Sequence, residues 1–261
     1  MRRSSRTVNS DPDTGGLICI EPDWPAPAKV RALTTTRLGG ISEPPWHSLN
    51  LGDHVADNPA HVAENRRRLA DSIGLPADRI AWVRQTHGTH VARFPGADNP
   101  EVDASVTSET GLACAILTAD CLPVVFCNTA GSKIAAAHAG WRGLCNGILE
   151  NTAKEIGDPE NTLAWLGPAI GPDQFEVGPE VREAFLARSP EAISAFNPSP
   201  KCPGHYLANL YHLARQRLNN AGISRIYGGS HCAATERDRF YSYRRDGTTG
   251  RMATLIWLMS E

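Results

Sequence analysis

The chain lacks any apolar stretch long enough to span a membrane, so no membrane partner is expected. It also lacks a charge excess: 26 Lys and Arg face 28 Asp and Glu, a formal net charge of -2. No basic run with interleaved aromatics is present, so nothing grips a polyanion and nucleic acid is not expected either. The seven cysteines (Cys19, Cys114, Cys121, Cys127, Cys145, Cys202 and Cys232) are odd in number and include no C-x-x-C pair. That argues against a secreted disulfide framework and against a zinc ribbon, and predicts reduced thiols in the cytoplasm. No apolar core follows the basic, Ser-rich beginning, so residues 1–16 read as a disordered tail and not as a signal peptide. No linker, internal repeat or low-complexity tract divides the remainder, so 17–261 is expected to be a single domain. A hydrophobic fraction of 41% and a charged fraction of 21% are those of an ordinary globular protein.

What is present is concentrated between Thr118 and Gly143. Two short apolar runs, one starting at Cys121 and one ending at His138, are separated by a turn over Asn128 to Ser132. Short apolar runs bounded by breakers read as buried strands. Paired antiparallel, they place the Cys121 thiol beside the His138 imidazole at one sheet edge. Gly140-Trp-Arg-Gly143 then turns, and Leu144, Ile148, Leu149, Ala153 and Ile156 trace one helical face. The start of that helix, with Arg142, would aim unpaired N–H groups and positive charge near His138. A cysteine in an apolar run is ordinarily a small buried hydrophobe, and a histidine at a strand end is ordinarily only hydrogen-bonded. Asp120 beside Cys121 and the glycines around Trp141 fit a plain core poorly, and they favour a site.

The rest of the chain reads as mixed α and β. Strands are expected at Lys29 to Thr36, Arg79 to Arg84, after His90, Leu112 to Leu117, Thr162 to Leu166, Arg225 to Gly228 and Ala253 to Leu258. A helix should start at Asn58-Pro59 and end at Gly74, with Arg66 to Arg68 on its wet face. Further helices are expected from Pro179 to Arg188 and along Leu207, Leu210, Tyr211, Ala214, Leu218 and Ala221, with an irregular stretch before Gly204. Arg37 and Asn50 lie in a glycine-rich loop. Arg244 and Arg245 precede Asp246-Gly247 in a turn suited to an anion. His87 and His90 flank a glycine, a weak metal spacing taken alone, and Asp103 could orient a ligand or cap a turn.

The motifs T-A-D-C-L-P-V, A-A-A-H-A-G-W-R-G, W-L-G-P-A-I-G-P and Y-R-R-D-G-x-T-G-R closely resemble those of the YfiH family. That family is also called the laccase-domain or polyphenol oxidase family and the peptidoglycan editing factor family, and its members are described as purine nucleoside phosphorylases. T-T-R-x-G-G around Arg37, S-L-N-L-G around Asn50 and Q-x-H-G around His87 are similar to family motifs near the active site, and the last selects His87 over His90. The resemblance implies an α+β fold, a four-layer α/β/β/α sandwich with mixed sheets. It implies Zn²⁺ held by His87, Cys121 and His138, which are also the catalytic residues. Two imidazoles and a thiolate suit zinc, and three protein ligands leave a fourth position open, as in catalytic zinc sites. Copper is the alternative metal.

The implied reaction is cleavage of adenosine, inosine and methylthioadenosine by phosphate to the free base and a (methylthio)ribose 1-phosphate, with adenosine deamination as a side activity. Arg37, Asn50, Asp120, Arg142 and Arg244 are the expected substrate- and phosphate-binding residues. Oligomeric state stays open. A metal-free cysteine hydrolase with Cys121 and His138, acting on peptidoglycan precursors, is one alternative. A copper polyphenol oxidase is another, although nine histidines with no His-x-His pair and three methionines do not make a multicopper cluster. A non-catalytic binding protein using the same pocket is the third.

Overall fold

Alternation of small and branched apolar residues organises the fold, because successive side chains on a strand face opposite ways. The computed structural model describes residues 7–8, 17–96 and 100–259. In chain order it contains β1 (Thr7–Val8), β2 (Cys19–Ile20), β3 (Val30–Thr35), α1 (Pro59–Ile73), β4 (Ile80–Ala81), β5 (Val91–Phe94), β6 (Ala104–Thr107) and β7 (Ala113–Thr118). Then come β8 (Leu122–Asn128), β9 (Ile134–Ala139), α2 (Trp141–Asn146), α3 (Ile148–Ile156), β10 (Thr162–Leu166), β11 (Glu176–Val177) and α4 (Pro179–Arg188). The last are β12 (Phe196–Pro198), β13 (Tyr206–Ala208), α5 (Leu210–Asn220), β14 (Arg225–Gly228), α6 (Tyr243–Asp246) and β15 (Met252–Leu258).

One six-stranded sheet runs β1-β2-β3-β15-β7-β4, a second β14-β10-β8-β9-β6-β5, and a three-stranded sheet β11-β13-β12. Both large sheets are mixed: β4 is parallel to β7, β14 to β10 and β5 to β6, while their other pairs are antiparallel. Cys114 and Ile116 of β7 meet Val125 and Cys127 of β8, so the two sheets share a core. The alternate residues Ala113, Ala115 and Leu117 pack with Leu69 and Ala70 of α1. On the far side of the second sheet, Leu122, Val124 and Phe126 pack with Ile148 and Leu149 of α3 and Leu213 of α5. The class is therefore mixed α+β, as expected.

Several boundaries depart from the sequence reading, each for a local reason. Thr7–Val8 pair with β2, so those two residues are strand and not disordered tail; the rest of 1–16 lies outside the described residues. The strand expected at Arg79 to Arg84 shrinks to Ile80–Ala81, because a 3-10 turn takes Ala77–Arg79 and Arg84 makes only an isolated bridge to Glu101. The helix expected from Leu144 onward is two helices, broken where Gly147 adopts φ +105°. Leu207 is in β13, since Asn209 caps α5 by accepting from His212 N. The irregular stretch before Gly204 contains a 3-10 segment at Pro190–Ala195 and β12. The Arg244 turn is the one-turn helix α6. Arg66 is not on the wet face of α1: its guanidinium lies 4.3 Å from the Trp82 ring centroid and its Nε donates to the Leu51 carbonyl. The caps of α1 at Asn58 and Gly74 are as read.

Candidate functional site

The site forms where β9 ends between β8 and β6. In the β8–β9 hairpin Pro123 pairs with His138 and Leu122 with Ala139, which brings Cys121 to the end of β9. On the other flank Ala104 pairs with Ala137, so Asp103 lies beside His138 and its carbonyl accepts from His138 N at 2.7 Å. The buried Asp103 carboxylate accepts from His138 Nδ1 at 2.8 Å. It also accepts from the backbone amides of Thr86 (3.2 Å), His87 (2.9 Å) and Gly88 (2.6 Å) and from the Thr86 hydroxyl (3.1 Å). One side chain thus closes the Thr86–Gly88 turn, holds His87 at φ +60°, and fixes the His138 ring. Asp103 caps a turn and orients the His138 ring at once. A carboxylate only accepts, so His138 Nδ1 carries a hydrogen and Nε2 faces the site.

His87, Cys121 and His138 each offer a ligand atom within 4.8 Å of the others. Cys121 Sγ is 3.8 Å from His87 Nε2, and the two imidazole rings meet edge to face at 80°. Gly140 closes the cluster: a Cβ there would sit 2.9 Å from His87 Cδ2, 3.1 Å from Cys121 Sγ and 3.4 Å from His138 Cε1. Only glycine leaves the space between the three ligands clear. Two nitrogens and one sulfur around that gap, with one imidazole oriented by a carboxylate, fit a zinc-like ion with an open position.

The metal-free electrostatics agree. Burial pushes the Cys121 thiol up, but the His138 charge and hydrogen bonds from His138 and His87 outweigh it and bring it to about 6. Burial lowers His138, but the Cys121 thiolate and the Asp103 carboxylate raise it to about 9. Asp103 ends well below the usual carboxylate range: burial raises it, and bonds from His138, Gly88 and Thr86 more than offset that.

The other expected site residues fall into two groups. Asp120, with φ +90°, adjoins Cys121; its Oδ2 accepts from Arg244 N at 2.6 Å and its buried Oδ1 has no hydrogen-bond partner. Burial raises Asp120, against the Arg244 amide, the Ser242 hydroxyl and the charges of Arg244 and Arg245. The exposed Arg244 guanidinium donates to the Glu176 carbonyl at 2.8 Å and lies over Phe175. Arg142 is exposed and stacks on Trp141, in a helix of only six residues. Arg37 stands apart: it stacks on Tyr241, donates to the carbonyls of His47 and Arg237, and lines a separate 630 Å³ cavity with His47, Arg237 and Arg245. Asn50 is buried and fully engaged: its amide donates to Gly52 O and Asp57 Oδ2, and its oxygen accepts from Gly52 N and Arg251 N.

That last contact points to a residue the sequence reading passed over. Burial lowers the Arg251 guanidinium, and it lies close enough to Cys121 and Asp120 for their negative charges to offset part of that lowering. It is the final arginine of the Y-R-R-D-G-x-T-G-R run, so the signal was available. The run's paired arginines, Arg244 and Arg245, precede Asp246-Gly247 in the turn, whereas Arg251 lies beyond it. Asp103 and Gly140 were likewise visible in motifs but not assignable to the site before the strands were paired.

The family described as "Multi-copper polyphenol oxidoreductase laccase" matches residues 31–259. The chain is 54% identical over 243 residues to a protein of Escherichia coli named "Purine nucleoside phosphorylase YfiH", covering 92% of this chain and 98% of that one. It is 52% identical over 240 residues to "Purine nucleoside phosphorylase PA4543" of Pseudomonas aeruginosa, with coverage of 92% and 98%. Among solved structures it is similar to Neisseria meningitidis protein NMB0706, with a TM-score of 0.87, 50% identity and coverage of 93% and 99%. It is also similar to a Bacillus licheniformis hypothetical protein YfiH, with a TM-score of 0.85, 33% identity and coverage of 95% and 98%.

Proposed function

The chain belongs to the laccase-domain family that includes YfiH, and from that membership we propose that it is a purine nucleoside phosphorylase. It cleaves adenosine, inosine and methylthioadenosine with phosphate, in the cytoplasm, and deaminates adenosine as a side activity. The observation that carries the reading is the three-ligand cluster held open at Gly140 beside the unpartnered Oδ1 of Asp120. His87, Cys121 and His138 would hold Zn²⁺, which when bound supplies a Lewis acid at its open position. Copper fits the same donors less distinctively.

In the proposed reaction a phosphate oxygen forms the bond to the anomeric carbon while the bond to the purine nitrogen breaks. Positive charge develops on the sugar ring between them and calls for anionic surroundings. The charge of Arg251 acts on Cys121 and Asp120, and the backbone amide of Arg244 donates to Asp120, which supports these two arginines as the phosphate seat. Arg142, exposed on α2 two residues after Gly140, is assigned to phosphate binding. Asn50 acts through the Arg251 backbone, as a positioning residue. Asp120, adjoining Cys121, is assigned to substrate binding. Asp103 keeps His138 in one tautomer and orientation. Arg37 would contribute to phosphate binding only from its own cavity.

A second reading has an observation in its favour: Cys121 and His138 lie together as the thiolate–imidazolium pair of a cysteine hydrolase, such as one editing peptidoglycan precursors, in which the thiolate would attack and the imidazolium would protonate the leaving group. The test is base release from inosine, adenosine and methylthioadenosine with and without phosphate, alongside elemental analysis and a parallel phenol-oxidation assay. We expect hypoxanthine and ribose 1-phosphate from inosine, sharply reduced without phosphate. The activity and about one metal per His-Cys-His site should be lost together in Cys121→Ala. Full activity after exhaustive chelation would favour the thiol hydrolase. Phenol turnover without base release would favour the copper oxidase.

A further inference from the structure

A second group of metal-binding side chains lies on the small sheet, away from the residues used above. Glu176 of β11 and Cys202 and His205 of the β12–β13 turn each present a ligand atom, and these atoms lie within 4.8 Å of one another. Two independent chain segments therefore converge on one point. The turn residues follow as Cys202-Pro-Gly-His205, so one tight turn presents both a thiol and an imidazole. The structure assigns to Glu176, Cys202 and His205 a second centre for a zinc-class divalent ion.

The local construction suits that assignment. The turn is tied by Ser199 N donating to His205 O at 2.9 Å and His205 N donating to Cys202 O at 3.1 Å. The Ser199 hydroxyl donates to Glu176 Oε2, which leaves Oε1 facing His205 Nδ1 at 3.6 Å. A carboxylate held through its second oxygen by a neighbouring hydroxyl is the outer support that metal ligands have. In a tetrahedral zinc site, bonds of about 2.0–2.3 Å place ligand atoms about 3.3–3.8 Å apart. The 4.8 Å spread here exceeds that by about an ångström, and all three side chains are only half-buried, so small rotations bring them in. A thiolate and a carboxylate neutralise a divalent charge. Sulfur and imidazole nitrogen select zinc-class ions over Mg²⁺ and Ca²⁺. Three protein ligands leave a fourth position for water.

An ion there would staple the β12–β13 turn to β11. The Glu176 carbonyl accepts from Arg244 Nη1, and Arg244 N donates to Asp120, so the staple also steadies the strand against which Arg244 is set. This assignment does not depend on the nucleoside reaction.

The test uses the full-length protein, made metal-free and titrated with Co²⁺, whose thiolate charge-transfer band reports each Cys-containing site. Wild type should bind two equivalents, and Cys202→Ser and His205→Gln one each with the band of the first site unchanged. Ser199→Ala should keep both sites but weaken the second about 10-fold. Elemental analysis of Zn²⁺-loaded protein should give the same counts. If Cys202→Ser and His205→Gln keep the wild-type stoichiometry and band, the assignment is wrong, whatever the wild-type count. Because the hairpin turn is half-exposed, these variants are expected to fold, and their far-ultraviolet circular dichroism and melting curves verify it. Cys121→Ser should retain the Cys202 band; loss of all binding in that variant, with its melting curve intact, would also overturn the second centre.

Discussion

At the scale of single residues, Asp103 bears the most weight for its size. It accepts from His138 Nδ1, three backbone amides and a hydroxyl. Asp103→Asn replaces one acceptor oxygen with a donor that must face those N–H groups. The expected cost is about 2–3 kcal/mol of stability, or about 5–10 °C in Tm, with metal affinity down about 10–100-fold. Melting curves and Zn²⁺ titration check this, and an unchanged affinity would mean the carboxylate only caps the turn. Cys121 allows a pH prediction. A thiol lowered to about 6 is already thiolate at neutral pH, whereas an ordinary thiol ionises near 8.5. In metal-free protein the alkylation rate of Cys121 should therefore stay level from about pH 7 to 9 and fall below about 6. A rate climbing through pH 8–9, followed on the Cys121 peptide by mass spectrometry, would contradict the ion pair. Cys19, Cys114 and Cys127, pushed up to about 12 by burial, should stay unmodified at pH 8.

At the scale of elements, α2 and α3 show how one residue sets a local path. Gly147 at φ +105° ends one helix and starts the next, and α2 begins directly after Gly140 at the ligand cluster. A Cβ at 147 would meet nothing closer than 3.7 Å, so substitution there costs backbone strain and not a clash. Gly147→Ala should lose about 1–2 kcal/mol of stability while metal content stays at the wild-type value. At Gly140 the balance reverses: φ is -58°, acceptable to any residue, but the added methyl lands among the three ligands. Gly140→Ala should therefore lose about 1–3 kcal/mol through the clash, still fold, and lose metal and activity together. Retained metal in that variant would show that the cluster is looser than its geometry implies.

At the scale of the whole molecule, the shared core between the two large sheets decides cooperativity. Ile20, Ile116, Val125, Ile134, Trp165 and Ile256 from strands of both sheets form one cluster. Neither sheet can lose its partner without exposing that face. Unfolding by urea should therefore be a single transition by fluorescence and circular dichroism. Ile116→Ala should lower its midpoint by the equivalent of about 2–5 kcal/mol without changing its slope. Two separable transitions would mean two folding units and not the single domain read from the absence of a linker. Among the described residues no helix is long and apolar enough to cross a membrane.

The sequence alone determined the elements whose signals are local. Asn58-Pro59 and Gly74 bound α1 because capping and left-handed termination are decided within a few residues. Thr162–Leu166 and Pro179–Arg188 were legible to the residue for the same reason. The β8–β9 hairpin could be read too, since a short turn between two apolar runs admits one pairing, and it put Cys121 beside His138. The mixed class followed from the pattern, whereas the expected layering and the choice of His87 came from family motifs. Tertiary structure decided whatever depends on residues distant in the chain. His87 and Asp103 reach β9 only because β6 pairs with it in one register. Gly140 matters only once three side chains meet above it. Leu207 fits a helical face by spacing and is a strand residue because β11 and β12 flank it. Arg37 and Arg244, alike in sequence context, part company because their guanidinium groups meet different carbonyls. Periodicity fixes which way a side chain faces along its own element; which element lies opposite is a matter of long-range packing, and the site is built from those opposites.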